Sequence, residues 1–178
     1  MNGRWGVSEE LRDSEGVAWI RGELEGYDWS KADWITVKRG RSEKYAFRGV
    51  CKSPWQGRGY RINCNVSRHA IYPLEQYLRL SPLYRNSDGS WPEVPEGCEV
   101  GGGRFSYRKG REVHWRRLYR PLEIGNEDEA LVFLIAHEAA HYLRKTRQMP
   151  GRHGEILADT FAEELLRKYR RARGESDA

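Results

Sequence analysis

The most constraining feature of this 178-residue chain is the pentapeptide HEAAH at residues 137–141, which lies inside a long apolar segment. Residues 131–136 (LVFLIA) precede it, and neither Gly nor Pro interrupts the segment. This composition predicts a buried α-helix. Residues four apart lie on the same helix face, so His137 and His141 are predicted to bind one metal ion, with Glu138 beside them to carry a proton.

The boundaries of this helix and of the next one are marked by capping residues and turn residues. Asn126 has the properties of an N-cap, and Glu129 stands at the capping-box spacing behind it. The helix is predicted to run to about Arg147, where residues 149–151 (MPG) end it. A second amphipathic helix is predicted from near Gly154 to about residue 173. The short connection requires the two helices to pack antiparallel, which brings the start of the second helix beside the histidines.

The third metal ligand is expected shortly after His141, because catalytic zinc (Zn²⁺) takes three protein ligands and one water molecule. The candidates are His153, Glu155 and Asp159, which lie twelve, fourteen and eighteen residues further on. Ligand type and geometry favour Glu155 as the ligand, with His153 as the alternative. Asp159 is predicted not to bind the metal itself but to hydrogen-bond a ligand histidine and so fix its orientation.

Charge is concentrated in the middle of the chain. Residues 38–120 carry 18 Lys and Arg against 7 Asp and Glu, and aromatic residues are interleaved among them. Such a segment is typical of surfaces that meet phosphates and stack on bases, so it predicts association with DNA. A β-sheet with a basic solvent face and an aromatic core face produces the same pattern, and this plainer interpretation is favoured.

The predicted fold class is α+β. Alternating residues from Trp34 to Tyr119 predict an antiparallel β-sheet, which is followed by the two packed helices, a zincin-like arrangement. A helical turn is predicted within residues 73–80, and a long loop within residues 81–103. The whole chain, 1–178, is predicted to be a single metallopeptidase-like domain, and residues 1–33 are expected to form an ordered tail, a strand or an arm over the substrate.

The segment from Ala136 to Arg170 resembles the zincin metallopeptidases. HEAAH followed by residues 152–155 (RHGE) looks like the SprT-like and Spartan family, and that resemblance implies His153 as third ligand and a DNA-associated protease. Residues 155–162 (EILADTFA) are similar to a signature of the ImmA/IrrE family, which implies Glu155 as the ligand and repressor proteins as targets. Both resemblances imply the zincin fold.

The expected function is therefore a zinc-dependent endopeptidase that acts on a protein or peptide substrate, with Glu138 as general base. The alternative from another class is a non-enzymatic nucleic-acid-binding domain in which zinc is structural or absent. No apolar run approaches the length of a membrane span, and the N-terminus lacks the apolar core of a secretory signal. We therefore expect a cytoplasmic protein without membrane association.

Overall fold

The structure is a computed structural model that describes residues 5–151 and 154–175. Within these residues it is an α+β protein with two sheets and three α-helices, which confirms the α+β class, whereas the zincin-like arrangement stays a prediction. In chain order the elements are β1 (Trp5–Val7), a 3-10 turn (Glu9–Leu11), α1 (Glu15–Glu23), β2 (Ala32–Gly40), β3 (Phe47–Lys52), β4 (Tyr60–Ser67), β5 (Leu74–Tyr84), β6 (Glu99–Arg108), β7 (Arg111–Ile124), α2 (Glu127–Lys145) and α3 (Glu155–Ala172).

The chain divides into two compact units. The first unit comprises Met1–Leu74 together with Ile124–Ala178, and the second unit comprises Glu75–Glu123. The first unit holds one sheet and all three described helices, whereas the second holds the other sheet. The organisation of residues 1–178 as a single functional domain stays a prediction.

The sheet of the first unit has the order β1-β2-β4-β3. β1 and β2 are parallel, β2 and β4 are parallel, and only β3 and β4 are antiparallel. The prediction of one antiparallel sheet from Trp34 to Tyr119 is therefore wrong on two counts, since there are two sheets and the first is mixed. Alternation identifies strands and their faces, but it carries no information about which strand lies beside which.

α2 is the centre of the first unit. Fourteen of its nineteen residues are buried, as expected for a helix that is apolar nearly all round. Strands β3 and β4 of the sheet pack against it, and Ile62, Cys64 and Val66 of β4 are each at most 1% exposed. The other two helices, α1 and α3, also pack against α2. The site-bearing helix is thereby held on several sides, which fixes where its side chains point.

The N-terminal segment is part of this core from residue 5 onward. β1 pairs with β2, and α1 buries Val17 and Ile20. Ser14 caps α1 by accepting a hydrogen bond from the Val17 amide at 3.1 Å. Of the three alternatives expected for this segment, a tail, a strand or an arm, the described residues contain a strand, together with a helix.

The second unit is a three-stranded sheet in the order β5-β7-β6. β6 and β7 form an antiparallel hairpin around Lys109 and Gly110, and they pair up to Arg108 and Arg111. The helical turn predicted within residues 73–80 is wrong, since these residues enter β5. The predicted loop is shorter than expected, and its Trp91 lies under the Arg116 guanidinium at 4.2 Å from the ring centre. No helix of the described residues is long and apolar enough to cross a membrane.

Candidate metal centre

α2 presents the two histidines of the HEAAH motif side by side. The Asn126 side chain accepts a hydrogen bond from the Glu129 amide at 2.9 Å, so the predicted N-cap is confirmed and sets where the helix begins. The His137 and His141 rings lie 4.8 Å apart, centre to centre, and their Nε2 atoms are 3.1 Å apart. Two potential ligand nitrogens therefore point to the same place from one helix face, as the spacing predicted.

α3 brings a carboxylate to the same place. Glu155, its first residue, has Oε2 at 3.4 Å from His137 Nε2 and Oε1 at 3.6 Å from His141 Nε2. The ligand atoms of these three residues all lie within 4.8 Å of one another, so the three could hold a metal ion. Within 5–151 and 154–175, no fourth His, Cys, Asp or Glu belongs to this group. His153, the alternative third ligand, lies outside the described residues.

Asp159 lies behind the histidines, one helical turn after Glu155. Its Oδ1 atom is 2.9 Å from Nδ1 of His137, on the side of the ring away from the Nε2 atom that faces Glu155. Asp159 is only 4% exposed. A buried carboxylate on the far nitrogen of an imidazole holds the ring in one orientation and makes the other nitrogen a better ligand.

The charges around His137 indicate what this cluster can accommodate. Burial alone would lower the pKa of His137, but the nearby carboxylates of Asp159 and Glu155 outweigh it and raise that pKa to about 9. The surroundings of the ring thus favour positive charge. Two imidazoles and a carboxylate are also the protein ligands of one class of catalytic zinc site, so the residues present fit that ion.

Glu138 is buried between α2 and β3. It is 5% exposed, and the loss of hydration raises its pKa to about 7, with Glu155 contributing in the same direction. The Cys51 amide of β3 donates a hydrogen bond to its carboxylate, which together with His137 and Lys145 limits the rise. A carboxylate with a pKa near neutrality is suited to accepting and returning a proton.

Gly49 makes room for this carboxylate. A Cβ atom at position 49 would lie 2.5 Å from Glu138 Cγ and 2.7 Å from Cδ, closer than real atoms pack. Gly49 was not among the predicted site residues. Its signal was an isolated glycine inside an alternating strand, which indicates a close approach of another group to the backbone.

Lys145 is a second residue of this neighbourhood that the sequence analysis missed. It lies seven residues, about two turns, after Glu138 on α2, and its Nζ atom donates to the Cys51 carbonyl at 3.0 Å. Glu138 and Lys145 therefore bind the two polar backbone groups of one β3 residue. Together they fix the position of β3 along α2.

Comparisons with known proteins do not assign the chain to a family. No family model, no curated protein and no solved structure matches it. The resemblance to SprT-like or ImmA/IrrE-type zincins therefore rests on the residues of α2, α3 and their connection, and it stays a prediction.

Proposed function

We propose that this protein is a zinc-dependent endopeptidase. The observation that supports this most directly is the convergence of His137, His141 and Glu155, with Glu138 directly beside them on α2. In this proposal the three converging residues hold zinc, and Asp159 orients His137. When bound, zinc would act as a Lewis acid that polarises the scissile carbonyl and lowers the pKa of a water molecule.

The group of three favours a catalytic site over a structural one. Structural zinc sites are closed by four protein ligands, whereas catalytic sites leave a position for water or substrate. Among the described residues the group offers three ligands and no fourth. This supports an enzyme over the alternative of a nucleic-acid-binding domain that uses zinc only to fold.

Glu138 carries the proton in this proposal. Its carboxylate accepts a proton from the attacking water and later donates it to the leaving amine nitrogen, as a general base and then a general acid. The Cys51 amide holds the carboxylate on one side, and Gly49 leaves the space it occupies. The side chain is thus positioned before any substrate binds.

The edge strand β3 supplies a place for an extended peptide. β3 is the last strand of the β1-β2-β4-β3 order, so one of its edges is unpaired within the described residues. The Cys51 amide and carbonyl face α2 side chains rather than β4. Backbone groups alternate along a strand, so those of Gly49 and Phe47 point to the same open edge, where a peptide adds by backbone hydrogen bonding.

The test is metal analysis and hydrolysis on the same preparations. The parent protein is expected to hold about one zinc per chain and to cleave an unfolded protein such as casein. Glu138→Gln should keep the zinc and lose about 10²–10⁴-fold in rate. Glu164→Gln, an exposed carboxylate on α3, is the matched control and should behave as the parent. A Glu138→Gln protein as active as the parent, or a parent without zinc, contradicts the proposal.

A further inference from the structure

The sheet of the first unit has an outer face, the side of β2, β4 and β3 that points away from α2. Strand register arranges its side chains in three rows across these strands. At one end Asn65 of β4 pairs with Lys38 on one side and Arg48 on the other. Both cations are exposed. This row therefore carries two positive charges about 10 Å apart, two strand spacings, with an amide between them.

The row at the opposite end is also cationic, and it ends in an indole. Arg61 of β4 pairs with Trp34 of β2 and with Lys52 of β3. Trp34 is 57% exposed, an unusual position for the largest apolar side chain. Arg61 Nε is buried and has no hydrogen-bond partner among the described residues. The end of the face thus combines two charges with an open aromatic surface.

Between the two cationic rows lies a neutral row formed by Thr36, Asn63 and Val50. The neutral row, the row centred on Asn65 and the Lys52 side chain line a groove of about 460 Å³, and Trp34 and Arg61 lie outside its lining. Successive rows are two residues apart, so the two cationic rows are separated by about 13 Å. A single small anion cannot reach both rows, whereas a chain of regularly spaced charges can.

The charge on this outer face is not compensated. Lys38, Arg48, Lys52 and Arg61 make no ion pair within the described part of the chain, and no acidic residue occurs in the three rows. Residues 38–74 as a whole carry nine Lys and Arg and one acidic residue, Glu43. The solvent face of a sheet usually mixes charges of both signs, so a face of one sign favours a partner of opposite charge.

We propose that the outer face binds single-stranded nucleic acid. Phosphates would contact the two cationic rows, and a base would stack on Trp34. The amides of Asn63 and Asn65 offer both a donor and an acceptor to base edges along the middle strand. A polyanion without aromatic rings, such as an acidic peptide, has no group that would stack on the Trp34 indole. The bases of a duplex are stacked on one another inside the double helix and cannot reach it.

Charge reversal on the face provides the first test. Binding of a fluorescein-labelled single-stranded oligonucleotide of about 20 nucleotides is measured by anisotropy over a range of salt. Four cations predict a slope of log affinity against log salt near −3. Arg48→Glu with Lys52→Glu should weaken binding by more than about tenfold and roughly halve that slope. Arg12→Glu with Arg111→Glu, an equal charge change at exposed positions elsewhere, should change affinity less than about twofold.

The indole provides the second test, because it separates stacking from charge. Trp34→Ala keeps every charge and should weaken single-strand binding by about tenfold, while binding of the same sequence as a duplex should be weak and unchanged. Glu138→Gln should bind the oligonucleotide as the parent does. Nucleic-acid binding can therefore be tested whether or not the protein is a peptidase. Equal losses in both charge-reversal pairs, or a Trp34→Ala protein that binds as the parent, would overturn the proposal.

Discussion

The two ends of α2 both bury charge, and they balance it differently. At the N-terminal end, Glu129 is 3% exposed and is matched by a cation, since Arg170 Nε and Nη2 lie 3.0 and 2.5 Å from its two carboxylate oxygens. The Gly125 amide donates to the same carboxylate at 2.7 Å. At the histidine end, three carboxylates, Glu138, Glu155 and Asp159, surround two imidazoles.

This difference distinguishes a structural charge from a functional one. A buried ion pair with two parallel hydrogen bonds satisfies both partners and leaves nothing to bind. The histidine end has carboxylates in excess of fixed cations, and its histidine pKa is raised as a result. An incoming cation relieves that imbalance. Helices α2 and α3 therefore form a fully paired salt bridge, Glu129–Arg170, at one end. At the other end they form a cluster of histidines and carboxylates that can bind a cation.

Breaking the Glu129–Arg170 ion pair should have the largest effect on stability. Glu129→Ala leaves the largely buried Arg170 guanidinium, whose side chain is 14% exposed, without its carboxylate, and we expect the free energy of unfolding to fall by about 3 kcal/mol. Urea unfolding measures this, and zinc content per folded chain should be unchanged. Replacing both partners, Glu129→Leu with Arg170→Leu, removes the stranded charge and should recover most of the loss. If the single variant is as stable as the parent, the pair is not structural.

The next largest effect is expected at the histidine end, from Gly49→Ala. The added methyl group occupies the space of the Glu138 side chain, which must move away from the Cys51 amide. Displacing a reacting group by about 1 Å can cost about 10²-fold in rate, so kcat/KM should fall by that order. Zinc content should stay the same. Val50→Ala on the opposite face of β3 is the control and should hydrolyse peptide at the parent rate.

Asp159→Asn should act on metal binding rather than on folding. The amide keeps the size of the side chain but loses the charge that faces His137 Nδ1. Loss of such a partner typically weakens metal binding by about 10–100-fold, and competition with a chelator measures it. Glu163→Gln, a buried carboxylate of the same helix that pairs with Arg167, is the control. Unchanged zinc affinity in Asp159→Asn would remove Asp159 from the site.

The helices and the candidate site could be predicted from sequence because their signals are local. Caps, periodicity and a four-residue spacing determine where α2 begins and which side chains share a face. The sheets could not be predicted, because pairing depends on distant segments. β5 forms where a helical turn was expected, since a partner strand decides its conformation. The Glu129 side chain was expected from its spacing to accept from the Asn126 amide in a capping box, but it accepts from the Gly125 amide and from Arg170.

Gly16→Ala is the counterpart of Gly49→Ala at the other end of α2, and it should have the smallest of these effects. A Cβ atom at position 16 would lie 2.9 Å from the Asp128 Cα atom, so the obstacle is backbone instead of a movable side chain. α1 must therefore shift, which should cost about 1–3 kcal/mol of stability in urea unfolding. Peptide hydrolysis per folded molecule should not change, because the shifted contact lies at the end of α2 that carries no ligand. A Gly16→Ala protein that is as stable as the parent but hydrolyses peptide more slowly would show that the two ends of α2 are coupled. The distinction between a structural end and a metal-binding end would then be wrong.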